Sequence, residues 1–159
     1  MDEVSSAPGA DAEVSLREVT ARTVGAVCNL SVAPGQRQFV ASDAESIAEA
    51  YFSEEAWIRA VHADETPVGF VMLHDDPREP RYYLWRFMIA GEHQGKGYGR
   101  RAMELLIEHV KTRPGAEELL LSYVPGEGSP EGFYRRLGFE PTGEENEGEI
   151  MASLRLWES

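Results

Sequence analysis

The sequence is poor in cysteine, in basic residues and in long apolar runs, and each scarcity removes a class of protein. Cys28 is the only cysteine among the 159 residues, so neither an intramolecular disulfide nor a cysteine metal cluster is possible. No apolar run approaches the roughly 20 residues that a membrane-spanning helix needs, and no signal-peptide pattern opens the chain. We therefore expect a cytoplasmic protein with no membrane partner.

Basic side chains are outnumbered by acidic ones. The 15 Lys and Arg residues against 28 Asp and Glu residues give a net charge of −13. A nucleic-acid-binding surface is normally basic, so we expect no nucleic-acid partner. A summed negative field raises the local concentration of cations, which suits a cationic substrate, but the same charge also keeps a protein soluble. The composition leaves both explanations open.

Length and composition predict one globular domain. Apolar residues make up 42% of the chain and charged residues 27%, which are ordinary values, and this length can bury a real core. Residues 1–13 consist largely of Ser, Ala, Asp and Glu, so we expect a disordered leader there. The folded domain is accordingly assigned to residues 14–159.

Periodicity predicts a mixed α/β chain. Strand 82–89, helix 98–112 and strand 119–124 should form a parallel β-α-β unit of the usual right hand, while the three successive strands before that helix should run antiparallel. Residues 36–41 are unassigned, and Glu144 to Glu149 is expected to be a loop. The expected ranges are strands 14–19, 57–62, 68–73, 82–89, 119–124 and 150–157, and helices 20–30, 42 or 43 to 51, 98–112 and 130–137.

Two helices carry apolar stripes that should face the core. The residues expected to point inward are Ala102, Leu105, Leu106 and Val110 on the longer helix, and Ile47, Ala50 and Tyr51 on the second helix. In the helix that starts near residue 130, Ser129 is expected to be the N-cap and Gly138 to end the helix.

The stretch from Gln94 to Arg100, Gln-Gly-Lys-Gly-Tyr-Gly-Arg, lies between the apolar strand 82–89 and the amphipathic helix 98–112. Three glycines within five positions let backbone N–H groups turn toward one point. A helix that starts there adds its own unpaired N–H groups and the positive end of its dipole. The stretch therefore predicts a phosphate-binding cradle.

Two common phosphate loops fit this stretch poorly. A Walker A loop needs four residues between its first glycine and Gly-Lys, followed by Ser or Thr. Here only three residues separate Gly91 from Gly95, and Gly97 follows the lysine. A dinucleotide fingerprint begins directly at a strand end and early in its fold, whereas here residues 91–94 intervene and the motif lies past the middle of the chain. Glu117 and Glu118 do lie about twenty residues on, where a ribose-binding acid would fall. A nucleotide-binding protein remains a remote alternative.

A third interpretation rests on a family resemblance. Gln94 to Gly99 resembles the Q/R-x-x-G-x-G/A acyl-CoA pyrophosphate motif of the GNAT N-acetyltransferase superfamily, and Phe133 to Phe139 resembles its LYxxxGF helix ending. The order of elements over residues 14–157 is also similar. Trp85-Arg86-Phe87 and the GKGxG loop look most like the bacterial diamine (spermine/spermidine) acetyltransferases. The resemblance implies a mixed, mostly antiparallel sheet flanked by helices, with a central β-α-β unit that binds CoA.

The resemblance also implies an activity and a site: direct transfer of acetyl from acetyl-CoA to a primary amine, without a metal. The pyrophosphate would lie on the loop N–H groups, with the charges of Lys96 and Arg100 beside it. A Cβ at position 97 or 99 would block close approach. The pantetheine arm would pair like an added strand with residues 87–89. The implied cofactor-binding residues are Phe87, Met88, Ile89, Gln94, Gly95, Lys96, Gly97, Tyr98, Gly99, Arg100, Ser129 and Tyr134.

Two catalytic roles follow from the same resemblance. Tyr134 maps to the tyrosine that protonates the leaving thiolate, although a buried tyrosine can also simply anchor a helix. The backbone N–H of Met88 is the expected donor to the thioester carbonyl. Strand 82–89 has no carboxylate, so the base is either a water relay or an acid from elsewhere. The candidate acids, each also explicable as a surface charge, are Glu54, Glu55, Asp75 and Asp76.

One position departs from the family pattern, and some alternatives stay open. Glu127 stands where many relatives place an asparagine that holds CoA, so Ser129 or backbone groups would have to substitute for it. The four histidines have no metal-ligand spacing. The favoured acceptor is a small cationic amine such as a polyamine. The alternatives are a protein N-terminus or lysine as acceptor, or a non-catalytic acyl-CoA-binding module; a homodimer is left open.

Overall fold

The computed structural model describes residues 7–31 and 42–157. Within them, the order of strands and helices is the predicted one except for one additional strand near the end of the chain. A short 3₁₀ helix, Gly91–His93, precedes the glycine loop. The strands are β1 (Val14–Arg17), β2 (Ala56–Ala63), β3 (Thr66–His74), β4 (Tyr82–Ile89), β5 (Glu118–Tyr123), β6 (Glu140–Asn146) and β7 (Glu149–Arg155), and the helices are α1 (Val24–Cys28), α2 (Asp43–Tyr51), α3 (Tyr98–Lys111) and α4 (Glu131–Leu137).

The seven strands form one sheet in the order β1-β2-β3-β4-β5-β7-β6. Strands β4 and β5 run parallel, and the other described neighbours run antiparallel. Helix α3 supplies the crossover between the parallel pair, as a parallel connection requires. The predicted fold class, a mostly antiparallel mixed sheet with a central β-α-β unit, is confirmed.

The two faces of the sheet are covered by different helices. Helices α3 and α4 pack on one face, in a cluster that contains Met103, Leu106 and Tyr134 together with the inward residues of β4, β5 and β7. Helices α1 and α2 pack on the other face over β2, β3 and β4, around the fully buried side chains of Val27 and Phe70. The two faces of the sheet are therefore covered by different pairs of helices, α3 and α4 on one face and α1 and α2 on the other.

Two residues predicted to face the core are exposed. Leu105 is 40% exposed, and Met103 is buried instead. At about 100° per residue, the stripe of Ala102, Leu106 and Val110 is centred about 100° from Leu105 but only about 60° from Met103. Tyr51 is the last residue of α2 and is 84% exposed, because its ring packs edge-on against Phe52 and not against the sheet.

The first helix is shorter than the predicted range 20–30. Helix α1 begins after Thr23, whose hydroxyl accepts the Thr20 N–H at 2.9 Å, so that residues 20–23 form a turn. Threonine side chains that bond to nearby backbone compete with helical hydrogen bonds, which explains the late start. Helix α2 begins as predicted, because the Ser42 hydroxyl accepts the Glu45 N–H at 3.1 Å. The unassigned residues 36–41 lie outside the described residues.

The expected loop over Glu144 to Glu149 is wrong, because most of it belongs to a β-hairpin. Strand β6 pairs antiparallel with β7 through a turn at Glu147-Gly148, where φ is 51° and 84°. Every residue of β6 is exposed, and the strand lies at the edge of the sheet. Its Glu, Gly, Pro and Asn residues have low strand propensity, so the sequence gives no alternating apolar pattern to detect.

Part of the predicted disordered leader packs against the fold. Residues 7–13 lie against the start of α3, and Ala12 is buried in a cluster with Val61 and Tyr98. The Tyr98 hydroxyl donates to the Gly9 carbonyl at 2.6 Å, and the Arg101 guanidinium donates to the carbonyls of Ala10 and Ala12, both at 2.8 Å. Backbone carbonyls make most of the contacts of this segment. Packing therefore needs few apolar side chains, and the sequence has almost no apolar pattern to detect.

Candidate active site

A gap opens between the two parallel strands. Their pairing covers only Tyr82 to Leu84 against Leu119 to Leu121. Beyond that point β4 stays paired with β3 up to Ile89, while β5 stays paired with β7 up to Tyr123. The strands therefore diverge, and after Leu84 the edge of β4 that faces β5 has no neighbour among the described strands.

The backbone of β4 presents alternate residues to this gap. The Ala90 N–H donates to the Val68 carbonyl of β3 at 2.8 Å, whereas the Ile89 carbonyl accepts from the Gln94 side chain at 2.8 Å. In an antiparallel ladder, successive residues direct their N–H and C=O groups to opposite sides. The polar backbone groups of Phe87 and Ile89 thus face the gap, and those of Met88 face β3.

A bulge sets which side chains flank the gap. The register between β3 and β4 shifts at Met72 and Leu73, and this leaves Trp85 as an extra residue of β4. Tyr82 and Leu84 before the bulge, and Phe87 after it, all pack toward α3. Bulges of this kind re-aim side chains next to functional sites.

The glycine loop forms an open cradle at the end of β4. Gly95 and Gly97 have φ values of 84° and 83°, in the left-handed region that glycine adopts without strain. Gly97 is the N-cap of α3, and it offers no capping side chain. Within the described part of the chain, the N–H groups of residues 95–100 donate no hydrogen bond. The sequence therefore builds a set of unpaired donors at a helix N-terminus, which suits an anion.

The side chains around the cradle differ in what they can offer an anion. Arg100 is exposed and pairs with Glu104 at 3.3 Å. The Lys96 ammonium donates to the Pro8 carbonyl at 2.8 Å, so the N-terminal segment already holds it. The Tyr98 ring is buried, and burial raises the pKa of its hydroxyl. Tyr98 thus reaches the cradle through its backbone alone.

The two sequence motifs meet beside the cradle. A Cβ on Gly99 would lie 3.3 Å from the Phe133 ring, and that ring stacks on Phe87 with centroids 6.1 Å apart. Residues from β4, the loop and α4 are therefore in contact around one end of the gap. Gly99 is needed for this packing, whereas Gly97 is needed for its backbone conformation, and a Cβ at Gly97 would meet no protein atom closer than 3.9 Å.

Tyr134 follows Phe133 on α4 and is buried. Its ring packs against those of Tyr123, Phe133 and Phe139, with centroids 6.3, 5.3 and 5.8 Å away. Burial raises the pKa of the Tyr134 hydroxyl, so the group stays protonated at neutral pH. The hydroxyl makes no hydrogen bond to any described residue, and so it is available as a donor.

The start of α4 is one residue later than predicted. Pro130 occupies the N-cap position, and the Ser129 hydroxyl accepts the Glu131 N–H at 3.3 Å. Gly138, with φ of 108°, ends the helix as predicted. Glu127 is exposed in the loop that precedes α4. The structure thus gives Ser129 a capping contact, and a role in binding a cofactor stays a prediction.

The acids considered as catalytic bases lie elsewhere. Asp75 pairs with Arg113 at 3.0 Å, while Asp76 and Glu55 pair with Arg78 at 3.0 and 3.2 Å. These groups surround the end of β3 that joins the start of β4, at the far end of β4 from the glycine loop. Their ion pairs explain them as structural charges.

Sequence reasoning missed a polar chain on the sheet beside the gap. The Tyr83 hydroxyl donates to the Ser122 hydroxyl at 2.6 Å, and the Ser122 hydroxyl donates to the Glu149 carboxylate at 2.8 Å. These residues lie on three different strands and share no sequence motif. Only the strand register brings them together, so the sequence carries no signal that would have found them.

The histidines do not form a common site. They lie on four different elements, and no group of three His, Cys, Asp or Glu residues in the described ranges could hold a metal ion. Burial lowers the pKa of His62 and of His109. His109 stacks on Trp57 with centroids 4.2 Å apart.

A separate groove of about 390 Å³ lies at the β1 edge of the sheet. The Trp57 ring, with the Arg59 guanidinium 4.4 Å from its centroid, and the exposed Leu105 line it. The groove contains no residue of the glycine loop or of α4. It accounts for the exposure of Leu105, and it is not part of the site described above.

A phosphate cradle at the mouth of a strand gap, with a protonated buried tyrosine beside it, is an arrangement that suits an elongated phosphate-bearing cofactor. Residues 26–139 match the model of the Acetyltransferase (GNAT) family. The chain belongs to the GNAT acetyltransferase family, and it is an acetyl-CoA-dependent N-acetyltransferase. The predicted resemblance is confirmed.

Individual relatives are distant. The chain is 31% identical to the 5-NmdU N-acetyltransferase of Pseudomonas phage PaMx11 over 67% of its length and 76% of the relative. It is 25% identical to the spermine/spermidine N(1)-acetyltransferase of Bacillus subtilis (strain 168) over 82% and 90% of the two chains. The PaiA N-acetyltransferase of Thermoplasma acidophilum, solved with coenzyme A, has the same fold, with a TM-score of 0.69 at 16% identity over 90% and 99%. None of the described helices is long and apolar enough to cross a membrane.

Proposed function

We propose that the protein transfers the acetyl group of acetyl-CoA to a primary amine of a small cationic molecule such as a polyamine. The observation that carries this proposal is the contact between the two motifs. Gly99 of the glycine loop packs on Phe133, and the next residue is Tyr134. The cradle and the Tyr134 hydroxyl would thus flank one gap, as transfer from a phosphate-anchored thioester requires.

The cradle and the strand edge suit the two halves of CoA. The N–H groups of residues 95–100, which have no hydrogen-bond partner among the described residues, would hold the pyrophosphate at the N-terminus of α3, with Arg100 alongside. The backbone groups of Phe87 and Ile89 that face the gap would pair with the amides of the pantetheine arm. The ladder alternation favours the Phe87 and Ile89 N–H groups over that of Met88 as donors to the thioester carbonyl. When bound, acetyl-CoA supplies the activated acetyl group.

Tyr134 would act as the general acid. Its hydroxyl is protonated because burial raises its pKa, and no described group competes for its proton. A donor at this position would neutralise the thiolate as it leaves, which is worth roughly 10²- to 10⁴-fold in rate for a well-placed acid. The aromatic contacts with Tyr123 and Phe139 fix the position of the ring and therefore of its hydroxyl oxygen.

The nature of the acceptor is inferred from charge and from the relatives. The net charge of −13 favours a cation over an anion. One relative is named for spermine and spermidine, whereas the phage relative of higher identity is named for 5-NmdU. Both names describe N-acetylation. Polyamines are therefore the first acceptors to test, and 5-NmdU is the necessary comparison.

The test is a panel of acceptors with free thiol as the readout. The protein is incubated with acetyl-CoA and, in turn, spermidine, spermine, a diamine, 5-NmdU, an aminoglycoside, an amino acid and a peptide with a free N-terminus. We expect thiol release with at least one polyamine and a higher kcat/KM for it than for the peptide. Release with the peptide or 5-NmdU alone would overturn the polyamine proposal. Binding of acetyl-CoA without any thiol release would indicate a non-catalytic module.

A further inference from the structure

The hydrogen-bonded chain of Tyr83, Ser122 and Glu149 has a fixed direction. Tyr83 donates to Ser122 at 2.6 Å, and the single hydroxyl proton of Ser122 is donated to Glu149 at 2.8 Å. Each donor points toward the carboxylate. The remaining lone pairs of the Tyr83 oxygen lie at the other end of the chain, and all three side chains are partly buried.

This chain lies where the strands begin to diverge. Tyr83 is paired with Leu120, yet its hydroxyl reaches Ser122, which lies two residues farther along β5 and past the last pair, Leu84 with Leu121. The Tyr83 ring therefore leans along the sheet toward the gap. A pantetheine arm that starts at the glycine loop and follows β4 from Ile89 would end near this apex, about 17 Å away at the usual rise per residue.

The chain and Tyr134 lie on opposite faces of the sheet. Leu121 and Tyr123 of β5 pack in the cluster with Tyr134, and so does Ile150 of β7. Side chains alternate along a strand, so Ser122 and Glu149 point to the other face. An acid and a proton acceptor thus flank the apex of the gap from two sides, which separates the leaving thiol from the incoming amine.

We propose that Tyr83, Ser122 and Glu149 form a proton relay that deprotonates the acceptor amine. The ammonium proton passes to the Tyr83 oxygen, the Tyr83 hydroxyl proton passes to Ser122, and the Ser122 proton passes to the Glu149 carboxylate. The products are a neutral amine and a carboxylic acid, which then releases its proton to solvent. After attack on the thioester, the nitrogen loses a second proton. This proton restores the Tyr134 hydroxyl, which has given its own proton to the leaving thiolate. The relay rests on the acetyl transfer proposed above.

The charged groups around Glu149 are paired with other residues or exposed, so Glu149 is the group that accepts the proton of this chain. Arg86 of β4 is paired with Glu49 at 3.1 Å, and Glu118 of β5 bonds to the Ser153 hydroxyl. Glu145 of β6 is exposed on the neighbouring strand. The Ser153–Glu118 bond is a second serine–glutamate contact between β5 and β7. It lies farther from the gap, because Ser153 pairs with Leu120, two register positions before Ser122. It provides a matched control.

The test compares Glu149→Gln and Tyr83→Phe with the controls Glu118→Gln and Ser153→Ala. The readouts are kcat/KM for the best acceptor from pH 6 to pH 10 and, separately, the Kd of CoA and the melting temperature. We expect Glu149→Gln and Tyr83→Phe to lose on the order of 10²-fold in kcat/KM near pH 7. The loss should shrink as the pH approaches the amine pKa of about 10, because solvent then deprotonates the amine. The controls should match the wild type.

The outcomes separate the relay from the activity it serves. A wild-type protein that turns over amine while Glu149→Gln and Tyr83→Phe keep its pH profile would overturn the relay and leave the acetyl transfer standing. A loss that is the same at every pH, or that follows CoA affinity, would assign these residues a structural role and also overturn the relay. A wild type that releases no thiol with any amine would overturn both. Tyr83→Phe removes only one hydroxyl group, so it remains informative if Glu149→Gln does not fold.

Discussion

At the scale of single residues, two glycines of the same motif are required for different physical reasons. Gly97 adopts a left-handed backbone and has open space around its Cα, whereas Gly99 has an ordinary helical backbone and touches the Phe133 ring. A sequence motif records both as glycine. Only the contacts separate a position that shapes the cradle from one that joins the cradle to α4.

We expect Gly99→Ala to lower kcat more than it weakens CoA binding. The added methyl group would meet the Phe133 ring at 3.3 Å and push α4, and with it Tyr134, away from the gap. The Phe133 ring has to move by a few tenths of an ångström. Because a misplacement of about 1 Å can cost about a hundredfold in rate, we expect a loss of up to roughly tenfold. Steady-state kinetics and a CoA titration measure the two effects. Adding Phe133→Leu should restore part of the rate, and the absence of any recovery would contradict this explanation.

A buried acid makes the stability depend on pH. Asp43 is 3% exposed at the start of α2, its Oδ2 has no partner among the described residues, and burial raises its pKa to about 7. The folded state therefore binds a proton more tightly than the unfolded state, and stability falls as the pH rises from about 4 through about 7.

We expect Asp43→Asn to be more stable than the wild type at pH 8 and equal to it near pH 4. The gain at pH 8 should be no more than about 4 kcal/mol, because each unit of pKa difference between the folded and unfolded states corresponds to about 1.4 kcal/mol. Urea unfolding at both pH values measures the difference. A stability gain that is the same at pH 4 and pH 8 would contradict the assignment.

At the scale of elements, the start of α3 is held from two directions. The N–H groups of its first turn, unpaired within the described part of the chain, face the cradle, while the side chains of Tyr98 and Arg101 hold the N-terminal segment on the other side. The helix end thus presents backbone to the cofactor and side chains to the chain that precedes β1. This division of roles explains how an apolar, buried tyrosine can stand inside a phosphate motif.

We expect Tyr98→Phe to lower the free energy of unfolding by about 1 kcal/mol without weakening CoA binding. The substitution removes one hydrogen bond, to the Gly9 carbonyl, and leaves that carbonyl without its tyrosine donor. The N–H of residue 98 at the cradle is unchanged. Chemical denaturation and a CoA titration measure the two quantities. A tenfold loss of CoA affinity would show that the hydroxyl acts in the cradle.

The sequence predicted the features that depend on neighbouring residues, such as periodicity and helix capping. It did not predict the features that depend on how distant strands pair. Strand β4 and the start of α2 lie where periodicity and capping placed them, and the motifs Gln94 to Gly99 and Phe133 to Phe139, with the order of elements, indicated the family. Strand β6 was missed because it is an exposed edge strand without an apolar pattern. Ser122 and Glu149 were missed because only the pairing of β5 with β7 brings them together.

At the scale of the whole molecule, the acidic composition affects the binding of the two substrates oppositely, favouring a cationic amine and disfavouring CoA. The net charge of −13 attracts a cationic amine and repels the phosphates of CoA, which only the local donors at the cradle overcome. Cradle contacts are short-ranged, whereas the field of the whole chain is screened by salt over about 10 Å at 0.1 M. Salt should therefore affect the two substrates differently.

We expect the KM of a polyamine to rise severalfold when the salt concentration rises from about 0.05 M to about 0.5 M, because screening removes the long-range attraction. The Kd of CoA should stay unchanged or fall, since screening also removes a repulsion. Initial rates with a polyamine and with a neutral amine provide the comparison. A polyamine KM that does not respond to salt would mean that the net charge has no part in choosing the acceptor.

The central claim is that the glycine loop and α4 act on one cofactor, with Tyr134 as the proton donor. Tyr134→Phe tests it most directly, because it removes one hydroxyl that has no partner among the described residues. Tyr123→Phe is the matched control, since the Tyr123 hydroxyl likewise has no partner among the described residues and its ring is a neighbour of the Tyr134 ring.

Single-turnover transfer from acetyl-CoA is measured together with the Kd of CoA for the wild type and both variants. We predict a rate at least roughly 10²-fold lower for Tyr134→Phe at unchanged CoA affinity, and a wild-type rate for Tyr123→Phe. Equal rates for Tyr134→Phe and the wild type would contradict the account.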